Sequence, residues 1–384
     1  MTDVVTAVGE LAPGIRARAG EIEKARRLPA DLARALARAE AFRMLVPRDV
    51  GGLELAPAVA LRAIEAAGAA DASAGWCVMI GATTGLNAAY LPIDTAREIF
   101  GPPEAIAGGV FAPMGKAVRD GEDYVLDGSW QWASGSANCD WLLAGAIVFE
   151  NGAPRKLPDG GIDDRKFIFP ASQAVLNDTW HVTGLCGTGS GEMVVSQVRV
   201  PARRTASYLE NKPRAAGALY AFPVFGLLAL GIAAVALGNA RSAIEDLVEL
   251  AGGKQPQGSR RTLAERGSAQ TALAVAEADL RSARAFFYET VEQAWQVAQD
   301  TGQVDVRQRA LLRLAATNAT RKSADVTRAM YDLAGGSSVF LSSPLQRRFR
   351  DAHVATQHLM ISPPTYELAG RVLMGLPIDP ATPL

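Results

Sequence analysis

Histidine is scarce in this 384-residue chain: only His181, His353 and His358 are present, and two of them lie five residues apart. Cysteine is equally scarce, with Cys77, Cys139 and Cys186 odd in number, widely spaced and set in apolar surroundings. No CxxC or His-rich spacing accompanies them, which excludes a disulfide framework and leaves no metal site to expect. Three reduced, structural thiols are what a cytoplasmic protein carries. Charge of either sign is not in excess: 39 Lys plus Arg face 40 Asp plus Glu, for a net charge of −1. That balance excludes a general nucleic-acid surface or an anionic-membrane surface and points to small-molecule partners. The chain has no alternating βαβ pattern and no GxGxxG, so no Rossmann site and no NAD(P)H site of its own are expected. The first twenty residues lack a basic stretch followed by an apolar one, so no secretory signal is expected. Internal repeats and low-complexity tracts are missing as well.

What is present changes period twice. Apolar residues at three and four spacing (Leu32, Leu36, Phe42, Leu45), then helical runs from Pro57 to Ala70 and Ala74 to Tyr90, predict an N-terminal helical domain over 1–105. From about Gly108 the pattern alternates, with a turn at Asp120-Gly121. Apolar runs follow at Trp141–Phe149, Lys166–Phe169, Ala174–Leu176, Trp180–Val182 and Met193–Val200. A small antiparallel β-barrel or sandwich over 106–205 is the expectation. Four long helical stretches, at about 221–252, 262–299, 305–334 and 345–374, then predict a C-terminal four-helix bundle over 206–384. The fold class is therefore α+β, mostly α.

The uncharged stretch Gly217–Gly238 is long enough to span a bilayer. Pro223, Gly226 and Gly231 interrupt it, small residues fill it, and a charged amphipathic run follows from Arg241. It reads as a bundle helix buried on all sides, with no membrane partner.

Chemistry concentrates between Tyr331 and His358. Gly335, Gly336 and Ser337 give a backbone that a ligand can approach closely, with free N–H groups and a hydroxyl. Arg347, Arg348 and Arg350 follow, then Asp351, then the two clustered histidines. A second cluster, Trp132-Ala-Ser134-Gly135, sets aromatic bulk beside a hydroxyl and a glycine at a strand end. Trp76, Met79 and Thr83 could line a pocket mouth, and a buried helix face explains them equally well. His181, in the barrel, reads as structural.

The order helix, barrel, bundle, together with Trp132-Ala-Ser-Gly, Trp180-His-Val-Thr-Gly-Leu-Cys-Gly-Thr-Gly-Ser and Gly335-Gly…Arg350-Asp351-Ala, resembles the acyl-CoA dehydrogenase superfamily over nearly the whole chain. The resemblance implies a flavin between barrel and bundle. It implies that Trp132, Ser134 and Gly135 line the flavin, the Ser134 hydroxyl meeting N5. It also implies that Gly335, Gly336, Ser337 and Arg350 reach a flavin, often that of a neighbouring subunit, in a homotetramer or homodimer.

Two departures matter. Many dehydrogenases carry a glutamate base nine residues after the arginine of the RDA motif, and that position here is Leu359; Glu367 lies eight residues further on, past Pro363-Pro364. The family's arginine and phenylalanine contact for the FAD diphosphate is missing around 253–261. Both departures are similar to the two-component flavin monooxygenase branch, which includes oxygenase components of hydroxyphenylacetate hydroxylase, dibenzothiophene monooxygenase and aminosugar nitrososynthases. That branch implies reduced FMN or FAD delivered by a separate NAD(P)H-dependent reductase, dioxygen adding at flavin C4a, and transfer of one oxygen atom to a hydrophobic, aromatic small molecule. Within it, His358 is the expected hydrogen-bond donor to the flavin peroxide, and His353 a weaker pocket contact. An FAD-dependent acyl-CoA dehydrogenase stays open as the alternative.

Overall fold

The computed structural model describes residues 3–378; residues 1–2 and 379–384, the outer ends of the first and last expected domains, lie outside the described residues. Six helices come first: α1 Val4–Ala17, α2 Ala19–Ala25, α3 Ala30–Arg38, α4 Pro57–Ala70, α5 Ala72–Thr84 and α6 Ile93–Phe100. Asp71 starts α5 by accepting a hydrogen bond from the Ala74 N–H at 3.0 Å, while Pro57 starts α4 at a position where its missing N–H costs nothing.

Eight strands follow: β1 Ala107–Asp120, β2 Asp123–Trp130, β3 Trp141–Glu150, β4 Ala153–Pro154, β5 Asp164–Pro170, β6 Val175–Asn177, β7 Glu192–Val200 and β8 Thr205–Ala206. They form one sheet in the order β6-β7-β2-β1-β3-β5-β8, with β4 on β3. This corrects the expected antiparallel barrel. The sheet is mixed, because β1 and β3 run parallel from Ala107↔Trp141 to Val118↔Phe149, and it is open, because its edge strands β6 and β8 do not pair with each other. The cause is the connection over residues 131–140, which leaves the end of β2, crosses β1 and brings β3 out beside β1 in the same direction. The 180–182 stretch, expected as a strand, is irregular backbone.

The chain then returns to helix with α7 Ala218–Ala221, α8 Val224–Gly253, α9 Gly267–Thr301, α10 Val306–Ala334, α11 Pro344–Ala355 and α12 Pro364–Leu373. Three long helices form, and the expected fourth is split into α11 and α12. His358 and the Pro363-Pro364 pair cause the break, since proline cannot supply the interior hydrogen bond of a continuous helix. Buried residues of α1–α6 and of the C-terminal helices make one continuous core, while Trp130, Leu142, Phe167, Phe169 and Met193 fill a smaller core within the sheet.

Among the described residues α8 is the one helix long and apolar enough to cross a membrane, and 78% of its most apolar stretch is buried inside the protein. Its small residues have a packing reason. A Cβ at Gly238 would lie 2.1 Å from the Glu65 carbonyl oxygen of α4, so only glycine lets the two backbones approach this closely.

Candidate active site

α5 carries Trp76 into the interior, where its indole N–H donates to Ser134 Oγ at 3.2 Å. Ser134 is only 4% exposed, although it belongs to the connecting loop after β2. Its hydroxyl also shares a 2.6 Å hydrogen bond with Ser190 Oγ, which shares another of 2.6 Å with Thr188 Oγ1, and Thr188 donates to the Leu185 carbonyl at 2.8 Å. Three hydroxyls in series thus fix the position of Ser134 Oγ from below. The Gly135 N–H donates to the Thr188 carbonyl at 2.8 Å, tying the two loops together by backbone as well. Trp132, on the same loop, is 64% exposed and sits at φ +64°, a region that bulky residues rarely occupy and that marks sites where surroundings hold the chain in place.

His358 stands on the other side of Trp76, its ring centroid 5.8 Å from the indole at an interplanar angle of 59°. It caps the 3₁₀ turn Leu359–Ile361, with Nδ1 accepting the Met360 N–H at 3.2 Å. That bond leaves the proton of the neutral ring on Nε2, which is then the donor. Burial on its inner side, then the Arg313 cation, push its pKa down to about 4. The residue is nonetheless exposed, and the two properties pull in opposite directions. The downward direction prevails, because the nearby guanidinium penalises a second positive charge whether or not water reaches the outer edge. Arg313, 4% exposed, donates to the Met360 carbonyl at 2.9 Å and steadies the turn that presents His358. At neutral pH the site therefore offers a neutral imidazole donor and a buried hydroxyl, both in contact with Trp76.

The remaining predicted residues are not gathered here. Met79 is fully buried, and a Cβ on Gly231 of α8 would come 2.4 Å from its Cγ. Thr83 is buried too and donates to the Met79 carbonyl at 2.8 Å, so both belong to the packed face of α5. His353 turns back on its own helix, with Nδ1 2.8 Å from the Phe349 carbonyl and its ring 4.2 Å from that of Phe349. His181 is exposed in irregular backbone, and Glu367 is exposed in the first turn of α12.

Gly335, Gly336 and Ser337 end α10, with Gly335 at φ +53° and open space around Gly336. Lys254, which sequence reasoning missed, donates to the Ala334 carbonyl and to Ser337 Oγ, the latter at 2.8 Å. The signal was a lone cation directly after Gly252-Gly253 at the end of α8. Arg313 and Gly335 lie 22 positions apart along α10, roughly 33 Å at 1.5 Å per residue. Within the chain the glycine turn therefore lies far from His358.

Arg350 spends its donors within the chain, on Gln346 Oε1 at 2.7 Å, Glu23 Oε1 at 2.5 Å and the Thr183 carbonyl. Asp351 accepts the Leu185 N–H at 2.6 Å. The Arg350-Asp351 pair thus clamps the 183–190 loop onto α11. Burial, reinforced by the neighbouring Asp71, raises the Asp351 carboxyl to about 7. The folded state then holds a proton that the unfolded state releases above pH 4, so this group's contribution to stability falls as pH rises from about 4 to 7. Asp351→Asn keeps an acceptor for Leu185 and should flatten that decline, which urea unfolding at pH 5 and pH 8 would measure; an unchanged pH slope would refute it.

The fold and site define an acyl-CoA dehydrogenase-like flavoprotein. The family description "Acyl-CoA dehydrogenase, N-terminal domain" matches residues 7–95 and "Acyl-CoA dehydrogenase, C-terminal domain" matches residues 230–363. The chain is 38% identical over 364 residues to indole-3-acetate monooxygenase of Pseudomonas putida, covering 94% of this chain and 90% of the relative. It superposes on the crystal structure of the HsaA monooxygenase from M. tuberculosis with a TM-score of 0.87 at 28% identity, over 98% of each chain. It also superposes on XiaF from Streptomyces sp. in complex with FADH2 and glycerol, with a TM-score of 0.89 at 25% identity, over 99% of this chain and 96% of the other.

The chain belongs to the acyl-CoA dehydrogenase superfamily, in its branch of flavin-dependent monooxygenases. Relatives include a flavin-dependent monooxygenase oxygenase subunit and the oxygenase component of an FADH(2)-dependent resorcinol hydroxylase, which favours oxygenation over acyl-CoA dehydrogenation. A small-molecule substrate and a separate flavin reductase come with that assignment. The residues present fit a reduced flavin: a fixed hydroxyl at Ser134, an exposed ring at Trp132, and a neutral donor at His358.

Proposed function

We propose that this chain oxygenates a hydrophobic, aromatic small molecule, with Ser134 contacting the reduced flavin and His358 donating a hydrogen bond to the oxygen being transferred. The flavin, FMN or FAD, supplies the activation of dioxygen. The protein's own share is positioning. One observation carries the reading: Trp76 touches both Ser134 and His358, so hydroxyl and imidazole are held in a fixed relation at one site. Trp132 and Gly135 supply the wall beside the hydroxyl. His358 suits donation rather than proton abstraction, since its accepting nitrogen is occupied by the Met360 N–H and its other nitrogen carries the proton. Glu367, exposed on α12, is not placed to act as a dehydrogenase base.

Purified protein given reduced flavin, ¹⁸O₂ and a panel of aromatic compounds should incorporate ¹⁸O into product. Without a reductase it should not oxidise NADH. Acyl-CoA-dependent bleaching of bound FAD, with no oxygen incorporation, would replace this reading with the dehydrogenase one.

The reductase is NAD(P)H-dependent, the location is the cytoplasm, and the working form is a homotetramer or homodimer. α8, buried inside the protein, offers no surface for the oligomer. Val339, Phe340 and Leu341, 60%, 65% and 83% exposed beside the glycine turn, do, because such an apolar run in water calls for a cover. Gly335, Gly336 and Ser337 would then approach a neighbour's flavin, consistent with their distance from His358, while Arg350, its donors taken by Gln346, Glu23 and the Thr183 carbonyl, would act by holding the 183–190 loop. Sedimentation at micromolar concentration should show an oligomer that Phe340→Asp weakens; a monomeric wild type would contradict it.

A further inference from the structure

The sheet and the helical body meet along a seam of aromatic rings. Phe111 of β1 lies 5.2 Å from Tyr208 and 6.0 Å from Phe225, centroid to centroid, and Tyr90 closes the group 4.4 Å from Tyr208. Phe111, Tyr208 and Phe225 are half-buried, so the seam is reachable from solvent. Beneath it is a cation. Lys166 of β5 is 3% exposed, and its Nζ sits 4.6 Å over the Phe111 ring.

That ammonium makes one hydrogen bond, to Asp164 Oδ1 at 2.5 Å, so two of its three donors have no acceptor among the described residues. Phe225 stands in the first turn of the 30-residue α8, whose N-terminus has no side-chain cap and so presents unpaired N–H groups and the positive end of a helix dipole. The Tyr208 hydroxyl is buried without a hydrogen-bond partner among the described residues. A buried cation with spare donors, an uncapped helix start and an orphaned hydroxyl are thus collected against ring faces.

We infer that this seam holds the anionic end of an aromatic carboxylic acid, with Lys166 and the start of α8 receiving the carboxylate and Phe111, Tyr208 and Phe225 packing against the ring. The inference rests on the oxygenase reading and names its substrate class. The seam is placed to serve that site. A Cβ at Gly108 of β1 would lie 3.9 Å from the Ser134 carbonyl oxygen, and Phe111 follows three residues later, about 10 Å along the strand. An acid with one or two rings spans that length. Burial raises the pKa of Asp164 and lowers that of Lys166, while their mutual attraction opposes both shifts.

Calorimetric titration of the full flavin-free chain with indole-3-acetate and with its neutral analogue indole-3-acetamide tests this. Wild type should bind the acid at least tenfold more tightly than the amide, Lys166→Gln should bring the two together while sparing the amide, and Lys166→Arg should keep part of the preference. Equal affinities in the wild type, or an acid preference that survives Lys166→Gln, would overturn the inference. If Lys166→Gln does not fold, the double variant Asp164→Asn/Lys166→Gln removes both charges of the pair and answers the same question. Failure of the oxygenase reading shows separately, as no oxygen incorporation into either compound while the acid preference in binding persists.

Discussion

Replacing His358 by alanine should collapse the yield of oxygenated product per dioxygen consumed, while flavin oxidation continues and its oxygen appears as hydrogen peroxide. The imidazole ring centroid sits 5.8 Å from that of Trp76 with Nδ1 occupied by the Met360 N–H, so Nε2–H is the donor of the neutral ring. A methyl group has no donor, and losing one aimed hydrogen bond in a preorganised site costs about 3 kcal/mol, roughly two orders of magnitude in the step it assists. Binding of reduced flavin should change little, because Ser134 is held by Trp76 and Ser190 rather than by His358.

The pH profile is a second check. With its pKa pushed down to about 4, the imidazole stays neutral through the usual assay range, so coupling that depends on it should show no step near pH 6.5 and should fail only as pH drops toward 4. The folding contribution has the same sign: the unfolded imidazole binds a proton between about 6.5 and 4 that the folded one refuses, so this stability is lost as pH falls through that window. If His358→Ala keeps the wild-type product yield per oxygen while Glu367→Gln abolishes activity, oxygen transfer through His358 is the wrong mechanism.

The order of element types was legible because hydrophobic period changes from about 3.6 to 2 and back, and that depends on local spacing alone. The strand neighbours were not. Alternation in β1 and β3 tells which side chains face the core, yet says nothing about which strands pair, so the parallel β1–β3 contact and the open edge came only with the structure. His358 and Ser134 stood out by rarity and motif. Trp76 was noticed only as a pocket candidate, because a hydrogen bond across 58 residues of sequence leaves no local pattern. Ser190, Thr188 and Arg313 escaped for the same reason. Met79 and Thr83 show the converse, since an apolar helix face around a site looks identical in sequence whether it packs against ligand or against α8.

Gly184→Val should both destabilise the protein and disturb the site, although the residue touches no predicted catalytic group. A Cβ at Gly184 would lie 2.4 Å from the Arg350 carbonyl carbon and oxygen and 2.8 Å from the Asp351 nitrogen, so the loop must lift off α11 to admit a branched side chain. Lifting breaks the 2.6 Å bond from the Leu185 N–H to Asp351, leaving a buried carboxyl without its donor, and releases the Thr183 carbonyl from Arg350. Overpacking together with one orphaned buried group costs on the order of 3 kcal/mol, enough to lower the thermal midpoint by several degrees. The same loop carries Thr188 and Ser190, whose hydroxyls hold Ser134, so flavin affinity should fall along with stability. Gly184→Ala, adding only the methyl, should give the smaller version of both effects. Thermal unfolding and a flavin titration on the same preparations decide the matter: a wild-type midpoint in Gly184→Val would mean that the loop is not seated on α11, and lowered stability with unchanged flavin affinity would mean that the hydroxyl series does not position Ser134.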